Sequence, residues 1–160
     1  MIRKVSLDDA AHIARINNHY ILNTTISFEK DPLSPDKMKE RILDVTELCP
    51  YFVYEDEGKV VGFCYAHPWK AREAYRVCWE TTVYVDPEDR RRGIGRLRME
   101  ALISASRRAG THALIACITG DNLASCDFHA SLGFERVSYF KEVGRKFDRW
   151  LDVTDYELIL

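Results

Sequence analysis

The chain has 160 residues and carries 25 acidic side chains against 23 lysines and arginines, a net charge of −2. That length suits a single domain, 1–160, with one core of useful size. A charge so close to balance leaves no electrostatic footprint for nucleic acid or an anionic membrane as partner. The N-terminal MIRKVSLDDAA lacks the apolar stretch of a signal peptide, and no run approaches the length of a membrane span. Five cysteines (Cys49, Cys64, Cys78, Cys117 and Cys126) make an odd set with no CxxC pair and no zinc spacing. We therefore expect free thiols, no metal and a cytoplasmic location. Cys64, Cys78 and Cys117 fall in strand-like runs, where a thiol is expected to be a small buried hydrophobe.

In chain order, Ile2 to Val5 reads as a strand, and Ser6 with Asp9 three residues on opens a helix whose apolar face is Ile13, Ile16 and Tyr20. The segment Asn23 to Phe28 is irregular. Ser34-Pro35 is a second helix start, Met38, Ile42 and Val45 its buried stripe, and Cys49-Pro50 its expected end. Tyr51–Tyr54 and Val60–His67 read as a hairpin around Asp56-Glu57-Gly58-Lys59. Pro68 to Tyr75 is a polar loop, and Val77 to Val85 is the longest strand. The run Ala113 to Ile118 predicts a strand buried on both faces. A helix begins at Asn122 and closes at Gly133. Phe134 to Tyr139 reads as a strand, Lys141 to Arg149 as a charged loop, and Trp150 to Leu160 as a final strand. The order β-α-α-β-β-β-α-β-α-β-β predicts a mixed α/β (α+β) domain with helices on the faces of a hairpin-rich sheet.

The stretch Val83–Leu97, VYVDPEDRRRGIGRL, organises the rest. A strand ends at Asp86-Pro87, arginines 90 to 92 follow, and Gly93-Ile94-Gly95 leads into a helix. Glycines there admit close approach to the backbone, and free N–H groups at a helix start suit phosphate oxygens.

Arg90-Arg91-Arg92-Gly93-Ile94-Gly95 resembles the Q/R-x-x-G-x-G/A signature of the GCN5-related N-acetyltransferases, the GNAT family. Asn122, Ala124 and Ser125 followed by Leu132-Gly133-Phe134 resemble its later "N-x-x-A … L-G-F" segment. The element order is similar too, so the likeness spans essentially the whole chain. TTISFE (Thr24–Glu29), YAHPWKAREAY (Tyr65–Tyr75) and WETTVYV (Trp79–Val85) are similar to the branch that acetylates phosphinothricin and methionine sulfone or sulfoximine. The resemblance implies a mostly antiparallel sheet of about seven strands with helices on both faces, acetyl-CoA as cosubstrate without a metal, a small amino-acid acceptor and a homodimer.

It also implies roles. The main chain of Val83, Tyr84 and Val85 pairs with the pantetheine arm, and an N–H near Val83 would stabilise an oxyanion. Arg91, Arg92, Gly93, Ile94, Gly95 and Arg96 surround the diphosphate, while Asn122 and Ser131 reach other parts of CoA. Glu80 carries the sharpest reading. A carboxylate in mid-strand is costly to bury unpaired, so it is either ion-paired or facing a wet cleft, and an ammonium must lose a proton before its nitrogen attacks a thioester. His129 stands where many relatives carry a proton-donating tyrosine, with a surface or capping role as its alternative. Arg72, Tyr75 and Phe28 are the candidates for holding the amino acid, Arg72 by paired donors to a carboxylate or phosphinate. His12, His19, His67 and His112 are expected to be structural, and the Lys141–Arg149 loop to border a partner subunit. A cysteine-borne acetyl group at Cys78 or Cys126 has no evident base beside it. Transfer to another amine (a protein N-terminus, a polyamine, an aminoglycoside) and a CoA-binding module without turnover are the competing functions.

Overall fold

The computed structural model describes residues 1–89 and 93–160. Its strands are β1 (Ile2–Lys4), β2 (Tyr51–Asp56), β3 (Lys59–Pro68), β4 (Cys78–Val85), β5 (Ala113–Thr119), β6 (Glu135–Arg136), β7 (Phe140–Lys146) and β8 (Arg149–Ile159). The helices are α1 (Ala10–Asn23), α2 (Pro35–Thr46), α3 (Ile94–Arg108) and α4 (Leu123–Ser131). The eight strands form one sheet in the order β1-β2-β3-β4-β5-β8-β6, with β7 also pairing β8. Among the described residues, β4 and β5 are the one parallel pair.

Alternation along β3 sends its two faces to different helices. Phe63 packs with Ile13, Ile16, Met38 and Ile42 of α1 and α2. Cys64 and Ala66 pack with Met99 and Leu102 of α3 and Cys126 of α4. Local signals set the helix ends. Ser34 Oγ accepts from the Lys37 N–H at 3.2 Å, with Pro35 at the first position. Gly93 and Gly133 take left-handed φ angles of 93° at the start of α3 and the end of α4.

Four expectations are corrected. Helix α2 stops at Thr46 rather than at Cys49-Pro50; Thr46 Oγ1 donates back to Ile42 O at 2.7 Å, which competes with helix continuation. The strand expected over Phe134–Tyr139 is only Glu135–Arg136. Past it, Ser138 Oγ donates to Asp155 Oδ2 at 2.8 Å and accepts from the Asp155 N–H at 2.9 Å, so a side chain replaces the ladder. The charged segment Lys141–Arg149 is no loop: β7 runs through it, and Phe147-Asp148 (φ 50° and 56°) is a two-residue turn into β8. Strand β5 is not buried throughout, since Cys117 is exposed while Leu114, Ile115 and Ala116 are buried.

Candidate active site

The parallel pairing of β4 and β5 covers only Cys78↔Ala113, Trp79↔Leu114 and Glu80↔Ile115. Beyond Glu80 the strands part, and a cleft of about 240 Å³ opens between Glu80–Tyr84 on one side and Ala116–Thr119 on the other. Thr81 Oγ1, donating to Ile115 O at 3.3 Å, bridges the point of separation. Ile26, Ser27 and Phe28, together with Asn122, Ser125 and His129, complete its lining.

The hydrogen-bond phase of β4 follows from its two ends. Asp86 N donates to Val61 O, and Cys78 O accepts from Trp69 N. In an antiparallel ladder this turns the main chain of even-numbered residues toward β3 and that of Thr81, Val83 and Val85 toward the gap. Val83 and Val85 thus present backbone to the cleft, as a pantetheine-pairing strand requires. Val85 O already accepts from Tyr20 Oη at 2.7 Å. Tyr84 differs: its main chain is directed to β3, and its ring packs on Tyr20 and Phe63 at centroid distances of 4.7 and 5.5 Å.

Glu80 is half-buried at the base of the gap, and its carboxylate lies 3.9 Å from His67 Nε2, its neighbour across the ladder. Burial raises its pKa above the ordinary carboxylate value, His67 opposes that shift, and Asp155 adds to it. Glu80 thus lines the cleft and also has an imidazole as its cross-strand neighbour. His67, which sequence reasoning set aside as structural, is the residue it missed; the pairing needs the β3–β4 register, which no local pattern discloses. Cys117 lines the same space although its surface is exposed, and partial desolvation, with Glu80 and Asp155 nearby, pushes its thiol up to about 12.

His129 is 3% exposed and lines the cleft. Its Nδ1 lies 2.8 Å from Ser125 O. A carbonyl only accepts, which assigns the proton to Nδ1 and leaves Nε2 unprotonated in the neutral ring. Burial lowers the His129 pKa against the opposing effect of that carbonyl. Burial, the larger of the two effects, favours the neutral ring, with Nε2 as its unprotonated nitrogen.

The two helix starts are built differently. Among the described residues, no side chain caps α3 and a Cβ built on Gly93 would meet nothing within 4 Å, so the backbone is uncovered by them. Gly95 sits against Phe128, 3.5 Å from where its Cβ would be. Arg96 Nη2 donates to Ser131 O at 3.1 Å and meets Ser131 Oγ at 2.9 Å, which joins two of the expected CoA contacts, and Ile94 begins α3 as a buried residue. Asn122 Oδ1 accepts from the Ser125 N–H at 3.2 Å, the N-cap that sequence predicts. Arg91 and Arg92 lie outside the described residues. This open backbone, with a split strand beside it, fits a long phosphorylated thioester such as acetyl-CoA.

Phe28 borders the cleft, but Arg72 and Tyr75 do not. They line a separate shallow depression with Lys70 and Ala71. The loop folds back on itself instead: Tyr75 meets Trp69 edge-on at 5.3 Å, and Lys70 Nζ sits 4.0 Å over the Trp69 ring. No lysine or arginine lines the main cleft among the described residues. Lys146, hidden in the misread charged segment, instead holds the cleft wall from behind, with Nζ donating to Ser27 O at 2.6 Å.

A split between β4 and β5, open glycine-flanked amides on α3 and a carboxylate at the fork define an acyl-CoA-dependent transferase fold. The acetyltransferase (GNAT) domain model matches residues 2–154, and the chain belongs to the GNAT acetyltransferase family. It is 35% identical over 154 residues to a phosphinothricin N-acetyltransferase of Streptomyces coelicolor, covering 94% of this chain and 90% of that one. It is 34% identical over 161 residues to an L-methionine sulfoximine/L-methionine sulfone acetyltransferase of Salmonella typhimurium, covering 99% and 94%. Among solved structures it superposes on a phosphinothricin acetyltransferase of Sinorhizobium meliloti in complex with acetyl-CoA. That TM-score is 0.96 at 33% identity, over 100% of this chain and 88% of that one.

Proposed function

We propose that the protein transfers an acetyl group from acetyl-CoA to the α-amino group of a small amino acid of the phosphinothricin, methionine sulfone or methionine sulfoximine type. The carrying observation is Glu80, a half-buried carboxylate at the fork of β4 and β5 in a cleft with open backbone beside it. When bound, acetyl-CoA supplies a thioester carbonyl as the electrophile. Glu80 takes the proton that the substrate ammonium must lose, directly or through one water. The gap-facing N–H of Val83 polarises the carbonyl oxygen. His129, which lines the cleft, or a water takes the role of giving a proton to the departing sulfur. The α3 amides with Gly93 and Gly95, together with Arg96, Asn122 and Ser131, hold the phosphorylated end.

Phe28 is the apolar wall for the amino-acid side chain. The carboxylate of the substrate is assigned to Arg72, which the Pro68–Tyr75 loop or a second protomer must bring over the cleft. A homodimer in the cytoplasm is the working assembly. Exposed Tyr139, Phe140, Val143, Phe147 and Trp150 on the β7–β8 side support it, as do five free cysteines. No step is routed through a metal.

A screen of amino-acid amines with acetyl-CoA, followed by free-thiol release, tests this reading. Turnover of phosphinothricin, methionine sulfone or methionine sulfoximine is expected. Inactivity on all three, with activity on another amine, moves the substrate class and leaves acetyl transfer standing. CoA binding without turnover of any amine replaces the enzyme with a binding module.

A further inference from the structure

Arg98 is fully buried on the inner face of α3, and its Nε and both Nη atoms have no hydrogen-bond partner among the described residues. Such a group is expensive. Three lost donor sites and an enclosed positive charge are tolerated only where something else compensates for them. Its position narrows what that is. Arg98 lies one turn beyond Ile94, and side chains on a helix lean toward the N-terminus. The guanidinium reaches Gly62 of β3, where a Cβ would overlap it and would lie 2.8 Å from Tyr84 O. Glycine at 62 is what leaves room for the group. The charge therefore sits against Gly62 of β3 near the Tyr84 carbonyl, on a side chain rooted one helical turn from the α3 amides assigned above to the CoA diphosphate. The groups acting on it electrostatically are Cys64, Asp89, Tyr20 and Tyr54.

We infer that Arg98 is a positioning residue for the cosubstrate: an enclosed positive charge that backs the phosphate cradle and favours the diphosphate of acetyl-CoA without touching the reacting atoms. The inference rests on the acetyl-CoA reading above. A bound diphosphate brings negative charge to the far side of the α3 amides. Within the protein, where screening by solvent is reduced, attraction of this kind persists over a helical turn. The same charge does nothing for the acetyl thioester itself.

The test compares two acetyl donors, acetyl-CoA and S-acetylpantetheine, which lacks the diphosphate, on the wild-type chain and on Arg98→Met and Arg98→Lys. For Arg98→Met, kcat/KM with acetyl-CoA is expected to fall about tenfold, a change of about 1.4 kcal/mol. With S-acetylpantetheine it should stay within twofold of wild type. CoA binding measured by calorimetry should weaken by the same factor, and Arg98→Lys should keep most of it. The unliganded methionine variant should melt at or above the wild-type temperature, because a buried guanidinium without hydrogen-bond partners among the described residues has been removed. If that variant is unstable, Arg98→Gln carries the same comparison. An equal loss with both donors, or undiminished CoA binding, overturns the inference. Failure of the acetyl-CoA reading is visible separately, since the wild-type chain would then bind no CoA.

Discussion

The two walls of the cleft are built on different principles. The β4 wall is regular strand: Glu80, Thr81, Thr82 and Val83 are fixed by the ladder to β3, and their spacing follows from pleat and register. The facing end, Thr25 to Phe28, has no ladder of its own. It is held by side chains reaching from the other end of the chain: Thr119 Oγ1 donates to Thr25 O at 2.7 Å, Lys146 Nζ donates to Ser27 O at 2.6 Å, and the Phe28 ring rests on Gly144, where a Cβ would overlap it. Nearby, Arg41 closes on Glu29 at 2.5 Å. Regular structure sets the chemistry, and remote single contacts set the shape of the pocket it works in. Changes on the first wall should therefore alter kcat, and changes behind the second should alter amine KM.

The largest effect expected is on the first wall. Glu80→Gln should lower kcat by about 100-fold or more while CoA binding by calorimetry is unchanged; an unaltered kcat would remove Glu80 from the chemistry. On the second wall, Lys146→Met strips the buried donor from Ser27 O. It should cost about 1–3 kcal/mol in urea unfolding and raise the amine KM about tenfold at near-constant kcat. Gly144→Ala presses on Phe28 alone, so a several-fold rise in amine KM with acetyl-CoA KM unchanged is expected in steady-state assays.

A pH series sharpens the same contrast. The proton acceptor must be ionised, and burial raises the Glu80 pKa, so kcat/KM should fall with acidity along a limb centred above the ordinary carboxylate value. His67 favours the ionised carboxylate. His67→Gln should therefore move that limb to higher pH, and a limb that stays put removes His67 from the tuning. The smallest effect is a control far from both walls. Ser34→Ala deletes the α2 cap and should cost about 1 kcal/mol of stability with unchanged kinetics.

The same division decides what could be read without coordinates. Glu80 was legible because a charged residue inside an apolar strand demands an explanation, and α3 because Gly93-Ile94-Gly95 marks its start. The backing of the loop was not. Strand β7 is exposed along most of its length, so it shows no alternation of apolar and polar residues. Its turn uses Phe147-Asp148 at positive φ instead of the Asn-Gly or Asp-Gly pair that advertises such a turn. Lys146 was therefore lost in what looked like a solvated run of charge. Arg72 and Tyr75 failed differently. They were expected at the cleft because an arginine can grip a carboxylate, but nothing local discloses that Trp69 draws the loop away from it.

Cys117 has a consequence for fidelity. It is a sulfur nucleophile facing the space in which an activated acyl group is to be handled. At an ordinary thiol pKa it would compete with the incoming amine and trap acetyl groups on the protein itself. Partial desolvation, with Glu80 and Asp155 nearby, pushes the thiol up to about 12, which keeps the reactive thiolate scarce at neutral pH. Desolvation raises both groups, with Asp155 adding to each, so the setting proposed to let Glu80 accept a proton would also hold this thiol in its unreactive form and spare the protein from acetylating itself.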